Sequence, residues 1–226
     1  MRKLFPIQLF FILCLLYSCK KDKDEPLPVI HGTVIDVDGN SYKTISVGHQ
    51  VWMVENLKVT HYNNGDSIPY ISGNAEWFKS LKGAYCFYNN DSILGDIYGN
   101  LYNWYAVNDT RQICPKNWHV PSYDEWITLT KFLGSNPGYK VFENDSVHWY
   151  SPNQFATNSS GLTFLPGGMR EWYNDFINLN THSYYWSSTT ESTDDAWYFY
   201  LNGGSNINIG SFSTSSGFCI RCIQNQ

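Results

Sequence analysis

The sequence predicts an α+β domain of twisted antiparallel sheets with one or two short helices and long irregular loops. Three observations predict it. β-rich runs bracket the chain, from Thr33 to Val54 and again from Tyr184 to Ile223, and one stretch, Tyr123 to Leu133, carries a clean helical pattern. The composition, 17% aromatic against 15% charged, suits a loop-rich sheet protein better than a helical bundle, since soluble chains usually carry about 25% charged residues. A length of 226 residues with no tandem repeat allows a single domain, placed here at residues 30–226. The net charge of −5 lacks the basic footprint that phosphate backbones require, so nucleic acid is excluded as a partner.

The elements follow in chain order. Thr33 to Val37 and Tyr42 to Val47 flank Asp38-Gly39-Asn40, and Asp-Gly between two β-rich runs is a strong hairpin signal. Gln50 to Val54 continues the sheet. Between Tyr62 and Asn108 the chain is rich in Asn, Gly, Asp and Tyr, with turns at Asn64-Gly65 and Tyr98-Gly99-Asn100, which predicts irregular surface around buried aromatics such as Trp77, Tyr102 and Trp104. Ser122 and Glu125 form a capping box for the helix Tyr123 to Leu133, and Gly134 stops it. Trp126, Leu129 and Leu133 recur at helical spacing and give it one buried face. Strands return at Tyr184 to Ser188, Ala196 to Leu201, Ile207 to Ile209 and Gly217 to Ile223.

The first residues carry an address. Arg2 and Lys3 precede an apolar run, Leu4 to Leu16, too short for a spanning helix of ~20 residues, and Leu16-Tyr17-Ser18-Cys19 closes it. This is similar to a bacterial lipobox, so residues 1–18 are expected to be a signal peptide and Cys19 the acylated lipid anchor. The alternative is an ordinary cleaved signal with an incidental cysteine. Residues 19–29, charged and then Pro-rich, form a tether, read either as a solvated spacer or as a sorting signal to the outer face of the outer membrane.

Several runs resemble one family. Asp38-Gly39-Asn40-Ser41-Tyr42-Lys43-Thr44, Trp52-Met53-Val54-Glu55-Asn56-Leu57, Tyr98-Gly99-Asn100-Leu101-Tyr102-Asn103-Trp104, Cys114-Pro115-Lys116-Asn117-Trp118-His119-Val120-Pro121-Ser122 with Glu125-Trp126, and Trp186-Ser187-Ser188-Thr189 look like the Fibrobacter succinogenes major paralogous domain, as does Gly217 to Ile223. The resemblance implies a C-type lectin-like fold, which formylglycine-generating enzymes and phage and fimbrial tip binders also use. It further implies surface display and ligand contact, but names no ligand.

Four cysteines lie beyond the signal: Cys86, Cys114, Cys219 and Cys222. An even count in an exported chain points to two disulfides, for which three pairings exist. Cys219 and Cys222 are three apart on a strand, face opposite ways and are not expected to bond each other. By resemblance, Cys114 pairs with Cys222 and leaves Cys86 with Cys219. Each such bridge would contribute about 4 kcal/mol by the loop it closes.

No catalytic constellation emerges. The histidines His31, His49, His61, His119, His148 and His182 are scattered, and HExxH, GxSxG and P-loop patterns are missing. Cys219-x-x-Cys222 raises the alternative of a thiol oxidase like the formylglycine-generating enzymes, but the surrounding residues do not reproduce that site. Asn89, Asn90, Asp91, Asp96 and Glu191 to Asp195 offer oxygen ligands without EF-hand spacing, so neither metal nor cofactor is expected.

The segment from Glu171 to Tyr185 is the candidate binding region, because it lies between a Gly turn and a strand. Trp172, Tyr173, Asn174, Asp175, Tyr184 and Tyr185 combine flat apolar faces with polar tips, a mixture enriched at recognition surfaces; the alternative places Trp172 and Tyr185 in the core. The expectation is a surface-exposed outer-membrane lipoprotein whose domain is a non-enzymatic adhesion or ligand-binding module for an extracellular glycan or protein. A thiol oxidase and a structural subunit of an envelope or fimbrial assembly are the alternatives.

Overall fold

The computed structural model describes residues 30–144, 147–150, 154–173 and 175–226. Cys19, the expected signal peptide and tether, and Asn174 lie outside them. Strand β1 (Ile30–Ile35) pairs antiparallel with β2 (Ser41–Val47), with Val34 opposite Tyr42. The Asp-Gly turn forms as expected, with Gly39 at φ +86°, and Asp36 holds it. Its carboxylate accepts the amides of Asp38 (3.0 Å) and Asn40 (2.9 Å) and the hydroxyl of Tyr42 (2.6 Å). Strand β3 (Gln50–Met53) pairs with β2, Ile45 opposite Trp52.

The two ends of the domain meet in this sheet. The last strand of the chain, which is β12 (Ile223–Gln224), lies between β3 and the short β6 (Trp118–His119), giving the order β1-β2-β3-β12-β6. The Cys114–Cys222 disulfide fastens the same place, closing a sequence separation of 108.

A second sheet is ordered β11-β10-β9-β7-β8. Its strands are β7 (Gly167–Arg170), β8 (Phe176–Leu179), β9 (Ser183–Thr190), β10 (Asp195–Leu201) and β11 (Asn208–Ser213). It corrects the all-antiparallel expectation: β7 and β9 run parallel at Gly168 and Ser183, because the chain leaves β8 and crosses back to the other side of β7. A two-stranded ribbon, β4 (Tyr85–Cys86) with β5 (Leu101–Tyr102), completes the strands among the described residues.

The helix Tyr123–Leu133 forms with the expected bounds and with both hydrogen bonds of its capping box. It is α4 in chain order. Trp126 on it joins the two sheets, 4.9 Å from Trp52 of β3 and stacked at 5.0 Å on Phe199 of β10. Among the described residues four further α-helices, beside a 3-10 turn at Tyr88–Asn90, correct the expected one or two: α1 (Asn74–Lys79), α2 (Ser92–Tyr98), α3 (Trp104–Val107) and α5 (Pro137–Val141). Each is seven residues or fewer, too short to print a 3.6-residue period. Asp91 caps α2 and Asn103 caps α3 through their side chains.

Candidate functional site

The turn between β7 and β8 carries the two exposed residues described in the candidate segment, Tyr173 and Asp175. Arg170 stands opposite Phe176, and the Glu171 amide donates to the Asp175 carbonyl to close the turn. A buried guanidinium needs partners, and Arg170 finds three on the segment entering α1. It donates to the carbonyls of Ile71 (2.7 Å) and Ser72 (2.9 Å) and to the side-chain oxygen of Asn74 (2.9 Å), and lies over the Trp77 and Phe176 rings. The Asn74 amide in turn donates to the Asp175 carboxylate at 2.8 Å. The hairpin is therefore clamped to α1.

On that clamp three aromatic rings face outward. Trp172 packs 5.5 Å from Phe78 of α1 and 4.3 Å from Tyr173. Phe78 is 47% exposed and Tyr173 59%, while Trp172 is half-buried between them. Asp175 sits exposed beside the patch.

Tyr184 and Tyr185 do not join it, which corrects their inclusion. Strand β9 is buried on both faces from Ser183 to Ser187, so alternation exposes neither ring. Tyr185, 1% exposed, packs on Trp126 and Phe164 on the α4 side. Tyr184 stacks on Tyr200 and Phe218 on the other side, and its hydroxyl accepts from the Asn178 amide.

The cysteine pairing is half as expected. Cys114 and Cys222 are bonded, whereas Cys86 and Cys219 are free and buried. Strand register explains the difference. Cys86 lies opposite Leu101, and Tyr102 pairs antiparallel with Phe218, which places Cys219 opposite Leu101 from the other side. Two strand spacings of ~4.8 Å thus separate the two cysteines, beyond the ~7 Å limit for a disulfide. Burial pushes both thiols up to about 12, against the opposing influence of Arg170 on Cys86 and of Arg221 on Cys219.

Two polar clusters involving histidine are structural in their geometry. Both ring nitrogens of His119 face acceptors, Glu125 Oε1 at 2.8 Å and Asn225 Oδ1 at 2.6 Å, which ties α4 to the chain end. His61 uses one nitrogen, Nδ1, toward both Asp38 (2.6 Å) and Thr60 (3.1 Å), so it cannot pass a proton between them as a base relay does. Burial alone would raise the Asp38 pKa, but hydrogen bonds from Thr60 and His61 hold it below its ordinary value. Among the described residues no group of three His, Cys, Asp or Glu side chains is placed to hold a metal ion, and no helix is long and apolar enough to cross a membrane.

One concavity escaped the sequence reading, a cleft of about 540 Å³ bounded by Pro69, Leu81, Lys82, Tyr105, Asn108 and Arg111. Arg111 is held bidentate by Asp109 (2.9 and 2.7 Å), reaches Asp66 at 3.0 Å and stacks 4.0 Å over Tyr62. Its hydrogen bond lowers the Asp109 carboxyl, and Asn64 followed by Arg111 lowers that of Asp66. The Asp109-Thr110-Arg111 run was the available signal, since Asp and Arg two apart in a turn can bond locally.

Fold and surface together define a sheet-rich α+β domain with a buried aromatic core and an exposed aromatic patch on the β7–β8 turn and α1. The chain belongs to the Fibrobacter succinogenes major domain family, whose model matches residues 45–224. No curated protein and no solved structure matches it.

Proposed function

We propose that the chain is a bacterial lipoprotein anchored through Cys19 in the outer membrane and exposed at the cell surface. Its domain, of the C-type lectin-like kind, is a non-enzymatic adhesion or ligand-binding module for an extracellular glycan or protein. The observation that carries this reading is the Phe78–Trp172–Tyr173 patch, immobilised by Arg170, Asn74 and Asp175. Aromatic rings held rigid before contact lose little conformational freedom on binding, which favours affinity.

A thiol oxidase needs a thiolate that its substrate can reach. Buried thiols at about 12 weigh against that alternative. Alkylation of the native chain is expected to leave Cys86 and Cys219 unmodified, while alkylation after denaturation without reduction modifies both. An assembly subunit is the second reading, favoured by one observation: β1 is a sheet edge and Ile35 on it is 62% exposed.

The test is to display the purified chain on glycan arrays and against immobilised extracellular-matrix proteins, beside a Trp172→Ala/Tyr173→Ala variant. A ligand retained by the parent and lost by the variant supports the module. A variant that keeps every ligand of the parent counts against the patch.

A further inference from the structure

We propose that the cleft beside Arg111, lined by none of the residues of the aromatic patch, is a second binding site and that it takes a neutral saccharide. The inference rests on reading the domain as a binding module and adds a ligand class to it. A volume of about 540 Å³ falls within the usual size of ligand pockets.

Charge selects the ligand first. Arg111 is occupied by Asp109 and Asp66, and Lys82 balances the second carboxylate, so the four charges at the cleft sum to zero. An anion would meet an ammonium and a guanidinium already balanced by two carboxylates, and a cation would meet those same carboxylates already bound by the guanidinium. Neither finds an uncompensated partner.

Hydrogen bonding selects next. Ser67, Asn108 and Thr110 line the cleft and are exposed, and their side chains have no hydrogen-bond partner among the described residues. A purely apolar ligand would strand these groups away from water without a partner, which disfavours it. A ligand with many hydroxyls satisfies them, and each hydroxyl both donates and accepts. Two further N–H groups of Arg111 remain beyond the three that bind Asp109 and Asp66.

The walls complete the fit. Leu81 is 74% exposed, Pro69 is exposed, and the Tyr105 ring is held in place by a hydrogen bond from Thr214 to its hydroxyl. These apolar surfaces match the C–H face of a pyranose ring, whose hydroxyl edge would meet Asn108, Thr110 and Arg111. A sugar is the ligand class that is uncharged, rich in hydroxyls and flat on one face.

The experiment is isothermal titration of the purified chain with the hexaoses of β-1,4-glucose, α-1,4-glucose, β-1,4-xylose and β-1,4-mannose, and with hexagalacturonate as the acidic comparison. The proposal expects at least one neutral hexaose to bind with an affinity unchanged by a tenfold rise in salt. It expects Asn108→Ala/Thr110→Ala, two exposed positions outside the core, to weaken that binding by about tenfold or more. Trp172→Ala should leave it as it was. Failure of every neutral hexaose, equal binding by the double variant, or salt-sensitive binding of hexagalacturonate instead would overturn the cleft assignment. If the cleft fails while a Trp172-dependent ligand is still captured, the module reading stands without it; if the hexaose binds and no Trp172-dependent ligand exists, the aromatic patch falls and the cleft stands.

Discussion

Arg170 and Arg221 are both buried, both bonded to backbone carbonyls and an asparagine, and both stacked on aromatic rings, yet they serve opposite ends. Arg221 donates through Nε and NH2 to Asn56 Oδ1 and through NH1 to the Leu162 carbonyl, over Phe164 and Tyr185. Its partners come from two distant segments, so it sews the core shut next to the Cys114–Cys222 disulfide. The acceptors of Arg170 all lie within residues 71–74, the approach to α1, and its Nε has no partner among the described residues. The chemistry is shared; what differs is the segment that each arginine holds. One closes the domain and the other presents a turn.

Removing the disulfide should have the largest effect. Cys114→Ala/Cys222→Ala is expected to cost about 4 kcal/mol in denaturant unfolding, because a separation of 108 residues closes a long loop. Arg221→Met follows at about 3 kcal/mol, with ligand capture per folded molecule unchanged, since it strands Asn56 and the Leu162 carbonyl inside the core. Arg170→Met is expected to cost about 2 kcal/mol and to speed amide exchange in residues 171–175 selectively, so its loss of capture should exceed its loss of stability. Equal behaviour of the two arginine variants would erase the contrast between them.

The smallest effect concerns pH, and it acts on the closed side of the molecule. The His119 pKa is raised, first by its hydrogen bond to Glu125, against burial, which lowers it. The folded state thus holds that proton more tightly, a stabilisation complete below the ordinary value of 6.5 and lost as pH rises through the higher folded value. Glu125 runs the other way. Burial alone would raise its pKa, but His119 and Ser122 lower it, so its contribution is complete above 4.5 and lost as pH falls through the lower folded value. The pair is at full strength between 4.5 and 6.5. Thermal unfolding across pH should show this small maximum, and His119→Gln should flatten its alkaline limb while leaving capture unchanged.

Local signals were legible and assembled ones were not. The Asp-Gly turn, strand β3 and α4 with its capping box are written in neighbouring residues, and the structure places them where the sequence does. The family resemblance also supplied the Cys114–Cys222 pair. It failed for Cys86 and Cys219 because Leu101 stands between them, a fact of strand order that no spacing encodes. Tyr184 and Tyr185 alternate like a half-exposed strand, but β9 lies between two packed layers. The Trp172–Tyr173 part of the candidate segment does reach the surface. Its partner Phe78 and its clamp Arg170–Asn74–Asp175 join residues nearly a hundred positions apart, and the cleft likewise gathers three separate stretches of chain.

The most direct test of the patch is hydrogen–deuterium exchange on the purified chain, with and without whichever ligand the parent captures and the Trp172→Ala/Tyr173→Ala variant does not. The account predicts protection confined to residues 171–175 and to α1, with the Arg221 region unchanged. Protection centred on the β1 edge, or none on the hairpin, would contradict it and turn attention to assembly through that strand.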